Sequence, residues 1–150
     1  MAEVLSVNAS PGRGTPKYPK GEGFFLRGHG MEGDGHAGNW HRQVCLFDVS
    51  SLETLSEEEK KACEETYSEN ITTRGIHLWA LPPGTRLEIG ETLLEITQIG
   101  KDFVKDPSKH TPREIIMHKE GVFCVVLRSG WVKVGDTVKI VPRETEEELR

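Results

Sequence analysis

Arg86-Leu87-Glu88-Ile89-Gly90-Glu91-Thr92-Leu93-Leu94-Glu95-Ile96-Thr97-Gln98-Ile99 is the stretch on which the fold turns. Two runs rich in Leu, Ile and Thr flank Gly90-Glu91, and a two-residue loop with glycine first is a hairpin signature. The same pattern continues toward the C-terminus. Gly121–Leu127 reads as a strand, Ser129-Gly130 turns it into Trp131–Val134, and Gly135-Asp136 leads to Thr137–Val141. Working back from the hairpin, Leu81-Pro82-Pro83-Gly84 is a turn and Val44–Val49 reads as a buried strand. Gly23–Arg27 is a short strand, and Glu3–Asn8 is a first strand with Leu5 and Val7 expected on one face. Short strands separated by glycine-bearing turns predict an all-β fold with a closed or nearly closed β-barrel core and a few short helices.

The helices are expected between the strands. Ser50-Ser51-Leu52-Glu53 and Ser56-Glu57-Glu58-Glu59 both carry the capping-box spacing, which predicts a short helix near 51–55 and a strongly acidic one near 57–66. With its narrow apolar stripe this segment reads as a solvated cover, and Cys63 as a packing residue. Residues 100–120, with Asp106-Pro107 and Thr111-Pro112, read as a long irregular excursion. Ser10–Gly21 holds three prolines and three glycines with Arg13, Lys17 and Lys20, and reads as a basic loop without the P-loop pattern.

A length of 150 residues fits one domain, 1–150, with a core over about 5–141 and a charged tail at 142–150. No repeat or linker divides it. No run is long enough to span a membrane as a helix, and the N-terminus lacks a signal pattern, so no membrane partner is expected. Three cysteines, Cys45, Cys63 and Cys124, form no CxxC and suit a reducing compartment, which places the protein in the cytoplasm. The net charge of −5 argues against nucleic acid as a partner. The acid is concentrated, however: seven Glu lie within 53–69 and four within 144–148. The rest of the chain is net basic and compatible with an anionic small ligand.

Site chemistry gathers in Gly33-Asp34-Gly35-His36-Ala37-Gly38-Asn39-Trp40-His41-Arg42-Gln43-Val44. Glycines let backbone approach a ligand closely, and here they separate an acid, two imidazoles and a guanidinium. A second polar knot is Glu69-Asn70-Ile71-Thr72-Thr73-Arg74. Glu69 and Asn70 could fix each other or a ligand, or the knot could be a strand-entry turn that satisfies backbone groups. Asp34, His36 and His41, with His29 in reach, have the chemistry for a divalent metal, although their spacing matches no zinc signature. His77, His110 and His118 read as ordinary residues.

Taken together and in order, GDGHAGNWHRQV, SENITTRGI, LPPGTRLEIGETLLEITQIGK, the EGVF strand and GWVKVGDTVKI resemble the MOSC domain family, named for the C-terminal domain of molybdenum-cofactor sulfurase. SPGRGTPK also looks like the start of small stand-alone members. The resemblance implies a β-barrel core and a role in handling a molybdenum or tungsten pterin cofactor. It implies a pocket lined by Asp34, His36, His41 and Arg42, by Glu69, Asn70 and Thr72, and by Lys101. An anionic pterin phosphate calls for Arg, Lys and backbone N–H donors. The chain departs from the family where a cysteine-bearing segment usually follows the GK of TQIGK: there is no cysteine from 64 to 123. Sulfur transfer by that residue is therefore not carried over.

The expected function is a binding or carrier protein for the molybdenum or tungsten pterin cofactor, or its metal oxyanion, in maturation or delivery. Its protein partners would be molybdenum or tungsten enzymes or cofactor-biosynthesis proteins. The alternatives are a sulfurtransferase or cofactor-dependent reductase using a relocated thiol, Cys124 or Cys45, and an interaction module docking through the acidic helix. Pyridoxal phosphate is not expected, because it belongs to a separate domain of the fused sulfurases.

Overall fold

Val44-Cys45-Leu46-Phe47-Asp48 is buried at all five positions, so both faces of this strand must be covered. A computed structural model describes residues 1–12, 15–62, 67–101 and 106–142 and accounts for that burial. In chain order the strands are β1 (Glu3–Ala9), β2 (Tyr18–Pro19), β3 (Glu22–Leu26), β4 (Gly30–Met31), β5 (Val44–Asp48), β6 (Ile71–Arg74), β7 (Arg86–Ile89), β8 (Thr92–Ile99), β9 (Val122–Arg128), β10 (Gly130–Lys133) and β11 (Val138–Val141). The α-helices are α1 (Glu57–Ala62) and α2 (Pro112–Glu120).

Eight strands form one sheet in the order β11-β7-β8-β9-β5-β6-β1-β2, and β10-β3-β4 form a second. The elements among the described residues are thus mostly strands, in one domain, with two α-helices. The expected barrel closure is not what the ladders form: the large sheet is open. Its β1 meets the turn before β11 only through an isolated Glu3–Thr137 bridge and a few flanking bonds, such as Val4 N donating to Asp136 O at 2.8 Å. Pairing is antiparallel except between β5 and β6, which run parallel. A parallel neighbour requires a crossover, and residues 49–70, with α1, supply it.

Alternation along β5 divides the interior. Val44 and Leu46 join the main core with Val4, Val7, Phe25, Ile71, Leu94 and Ile96. Cys45 and Phe47 face the other way and pack with Met117 and Phe123 in a smaller cluster under α2. In β1 a bulge between Val4 and Ser6 shifts the register against β6, so Val4 rather than Leu5 shares the inner face with Val7. The 86–99 hairpin forms as read, with Gly90 at φ 54°.

Two local expectations are corrected. Residues 112–120 are helix, not irregular: Thr111 Oγ1 accepts from Glu114 N at 3.2 Å, and Pro112 sits at the first helical position. Val49–Leu52 is a short 3-10 turn whose cap is Asp48, which accepts from Ser50 N at 3.0 Å, in place of the expected Ser50–Glu53 box. The Ser56–Glu59 box does form, with reciprocal bonds of 3.0 and 3.1 Å. Residues 63–66 of the expected acidic helix, Cys63, and the tail from 143 lie outside the described residues.

Candidate functional site

The face of β5 and β9 that carries Cys45 and Phe123 meets α2 across a cavity of about 460 Å³. Its walls come from four parts of the chain. The basic loop gives Lys17 and Tyr18, and the glycine-rich loop gives His36, Trp40 and Arg42. The crossover return gives Tyr67, Ser68 and Asn70, and the segment from Lys101 through α2 gives Lys101, His110, Glu114, Met117 and His118.

Cations and aromatic faces meet at the rim. The Arg42 guanidinium lies 5.2 Å from the Phe123 ring and 5.9 Å from Trp40, and Lys101 Nζ lies 5.6 Å from Phe123. Arg42 is steered from behind, where its Nε donates to Gln98 Oε1 at 3.3 Å. Lys101 is placed by a left-handed Gly100, at φ 64°, and by its own N–H donating to His118 O at 2.5 Å. A Cβ at Gly100 would stand 2.6 Å from Lys119 O, so only glycine fits this corner.

Behind the rim is a buried polar brace. Lys17 Nζ donates to Asp34 Oδ1 at 2.6 Å and lies 3.1 Å from His36 Nδ1. An ammonium only donates, so His36 Nδ1 accepts and the ring proton sits on Nε2. Burial pushes the Asp34 carboxyl up, but Lys17 and the Ser10 amide outweigh it and hold the carboxyl below its ordinary range. Just before α2, His110 Nδ1 lies 2.7 Å from Glu114 Oε2, and the His110 and His118 rings are 5.9 Å apart. Burial first, then Lys101 and His110, lower the His118 pKa from its usual 6.5. His118 Nδ1 is buried with no described partner.

The structure divides the expected site residues. His36, Arg42, Asn70 and Lys101 line the cavity, whereas Asp34, His41, Glu69 and Thr72 stand outside its lining. Asp34 serves Lys17, and His41 Nε2 lies 3.0 Å from Gln98 Oε1. Glu69 is fully buried and pairs with Arg113 of α2 while accepting from Thr72 Oγ1 at 2.7 Å. Asn70 braces the wall it lines: its Oδ1 accepts from Cys45 N at 2.9 Å and its Nδ2 donates to Asn8 O.

The metal alternative on Asp34, His36 and His41 is not supported, because no group of three or more His, Cys, Asp or Glu among the described residues could hold an ion. Cys45 lines the cavity and Cys124 does not. Burial raises both thiols; Glu69 adds to the shift at Cys45, against partial opposition from Lys101 and Lys17. His110 and His118, read as ordinary, prove to be wall residues, as do Glu114, Met117 and Phe123. The spacing of Thr111 and Glu114 was the available signal for the helix that carries Glu114, Met117 and His118.

The MOSC domain family model matches residues 33–139, which is most of the chain and includes both the glycine-rich loop and α2. The chain belongs to the MOSC domain family. No curated protein matches the sequence at a significant level. Among solved structures, this MOSC protein resembles the YUAD protein from Bacillus subtilis, with 16% identity, a TM-score of 0.68, and coverage of 96% of this chain and 98% of that one. It also resembles YiiM from Geobacillus stearothermophilus (17%, 0.64, 97% and 78%) and YiiM from Escherichia coli (21%, 0.61, 97% and 70%). At these identities the likeness is one of fold. The family is associated with the molybdenum cofactor. Among the described residues no helix is long and apolar enough to cross a membrane.

Proposed function

We propose that this MOSC protein binds and carries a molybdenum or tungsten pterin cofactor, or its metal oxyanion, during maturation or delivery. One observation carries the reading: Arg42 and Lys101 converge on the Phe123 ring at the rim of a cavity large enough for a cofactor. The donor set fits the group. Arg42 offers a planar fork and Lys101 a point charge to a phosphate or oxyanion, and Trp40 and Phe123 offer faces to a flat ring. When bound, the cofactor would supply a redox-active metal centre. The residues of this chain bind it, orient it and cover it with α2. Cys45 and Cys124 carry no disulfide, in keeping with a cytoplasmic setting.

The test is co-expression in a host that makes the cofactor. Metal by elemental analysis and pterin by fluorescence after oxidation are expected in equimolar amounts with the protein. Arg42→Ala and Lys101→Ala are expected to lose both while remaining folded. Retention unchanged in both variants would refute the reading.

The position of Cys45 in the cavity wall supports a second reading, sulfur transfer through a relocated thiol. It requires a persulfide on Cys45 after incubation with cysteine and a cysteine desulfurase, seen as one added sulfur in the intact mass. No added sulfur removes it.

A further inference from the structure

The cavity wall is cationic, aromatic or neutral at nearly every position. Among the described residues that line it, Glu114 is the only carboxylate. Its carboxylate is not committed to capping the helix. In the α1 box Glu59 reaches back to Ser56 N, so the acid is used for capping. In α2 Thr111 Oγ1 accepts from Glu114 N at 3.2 Å, yet the Glu114 carboxylate makes no return bond to Thr111. It instead meets His110 through Oε2, and no described residue bonds Oε1. The side chain keeps 33% of its surface exposed. This carboxylate retains acceptor capacity at the wall of a cavity.

The wall also carries cations. Arg42 and Lys101 lie beside the Phe123 ring, and His110, which neighbours His118, meets Glu114. A ligand matching these groups has an anionic group for Arg42 and Lys101 and hydrogen-bond donors for Glu114. The Trp40 and Phe123 rings in the same wall favour a flat ring. Adjacent donors on a ring edge, an amino group beside a ring N–H, match the two oxygens of a carboxylate.

We propose that Glu114 reads the ring edge of the ligand. The cavity selects a heteroaromatic ring with an amino group beside a ring N–H, and its anionic substituent points to Arg42 and Lys101. This inference rests on the function proposed above and specifies which end of the ligand meets which wall. A ring with a carbonyl in place of the amino group would set an oxygen against the carboxylate and remove one of the two ring-edge donors to Glu114.

Two fluorescent probes test this. Pterin-6-carboxylate and lumazine-6-carboxylate share the bicycle and the anionic group and differ at one position, amino in the first and oxo in the second. Titration of the wild-type protein is expected to give about tenfold tighter binding of the pterin. Glu114→Gln and Glu114→Ala both leave the Thr111 cap in place, and far-UV circular dichroism confirms α2 in each. Either variant that folds is expected to bring the two affinities within about twofold of each other. Arg42→Ala is expected to weaken both probes by the same factor and preserve their ratio. Equal affinities in the wild type, an unchanged ratio in the Glu114 variants, or no binding of either probe would overturn the inference. In each of those cases, cofactor recovered from co-expression and lost in the Arg42 and Lys101 variants would still uphold the broader function.

Discussion

Arg113→Met is the most informative single substitution, because this guanidinium supplies the buried ion pair between α2 and the sheet, beside the apolar packing of Met117. Arg113 pairs with Glu69, which is fully buried, and lies 5.0 Å from the Phe47 ring and 5.3 Å from Tyr67. Removing it leaves a carboxylate with no exposure, held by Ser68 N at 3.1 Å and Thr72 Oγ1 at 2.7 Å but facing no positive charge. Breaking a buried pair in this way costs about 3–5 kcal/mol. That is a large part of the 5–15 kcal/mol or so that a domain of this kind has in total. At about 2–4 °C per kcal/mol for this size, the melting temperature should fall by roughly 6–20 °C. Glu69→Gln should cost less, since Arg113 keeps two aromatic faces, each worth about 0.5–2 kcal/mol. Urea unfolding of the wild type, both single variants and the double variant gives the coupling energy directly. The coupling should persist in high salt, because the pair is buried. A cost for Arg113→Met below about 1 kcal/mol, the size typical of an exposed pair, would refute the account of α2 as anchored through a buried charge.

The depressed pKa of His118 carries a sign. Its folded form disfavours the proton, so the stability it contributes is full above the unfolded value of 6.5 and is lost as pH falls from there through the folded value. Urea midpoints between neutral pH and pH 5 should therefore decline less steeply in His118→Gln than in the wild type. Cys45, raised by burial, should resist iodoacetamide at mildly alkaline pH in the native protein and react on unfolding in guanidinium, as read by intact mass. Native alkylation at the unfolded rate would contradict that burial. Gly30, at φ 118°, would place a Cβ 2.5 Å from Gln43 O, and Gln43 Oε1 in turn accepts from Val126 N at 2.9 Å. Gly30→Ala should cost about 2–3 kcal/mol in thermal or urea unfolding, and a neutral result would mean that this corner is softer than its contacts imply.

The strands were legible because period-two alternation and glycine turns are local signals. The 86–99 hairpin needs nothing beyond its own sequence to be recognised. The bulge in β1 was not legible, since it arises from register against β6 and only that pairing turns Val4 inward. The α2 helix was hidden by its composition. Pro-Arg-Glu-Ile-Ile-Met-His-Lys-Glu offers few apolar residues, and Pro112 suggested a break although it occupies the one turn a helix tolerates. The site was legible at the level of loops but not of roles. Arg42 and Lys101 reach the cavity, while Asp34 and Glu69 are taken by Lys17 and Arg113. A charged residue type does not reveal whether its partner is a ligand or another side chain, because that depends on contacts between distant segments. Phe123 and Met117 went unnoticed for the converse reason: an apolar residue in a strand or helix reads as core until a cavity opens beside it.

The single parallel step between β5 and β6 has a kinetic consequence. Antiparallel neighbours such as β7 and β8 close through a two-residue loop and assemble from local contacts, whereas β5 and β6 must await a crossover that spans residues 49–70. Cys45 and Asn70 sit on either side of that step, joined by two bonds of 2.9 Å, and form the back wall of the cavity. The cavity is therefore completed late in folding, after the hairpins exist. A nascent chain acquires this cavity only once nearly all of it has folded.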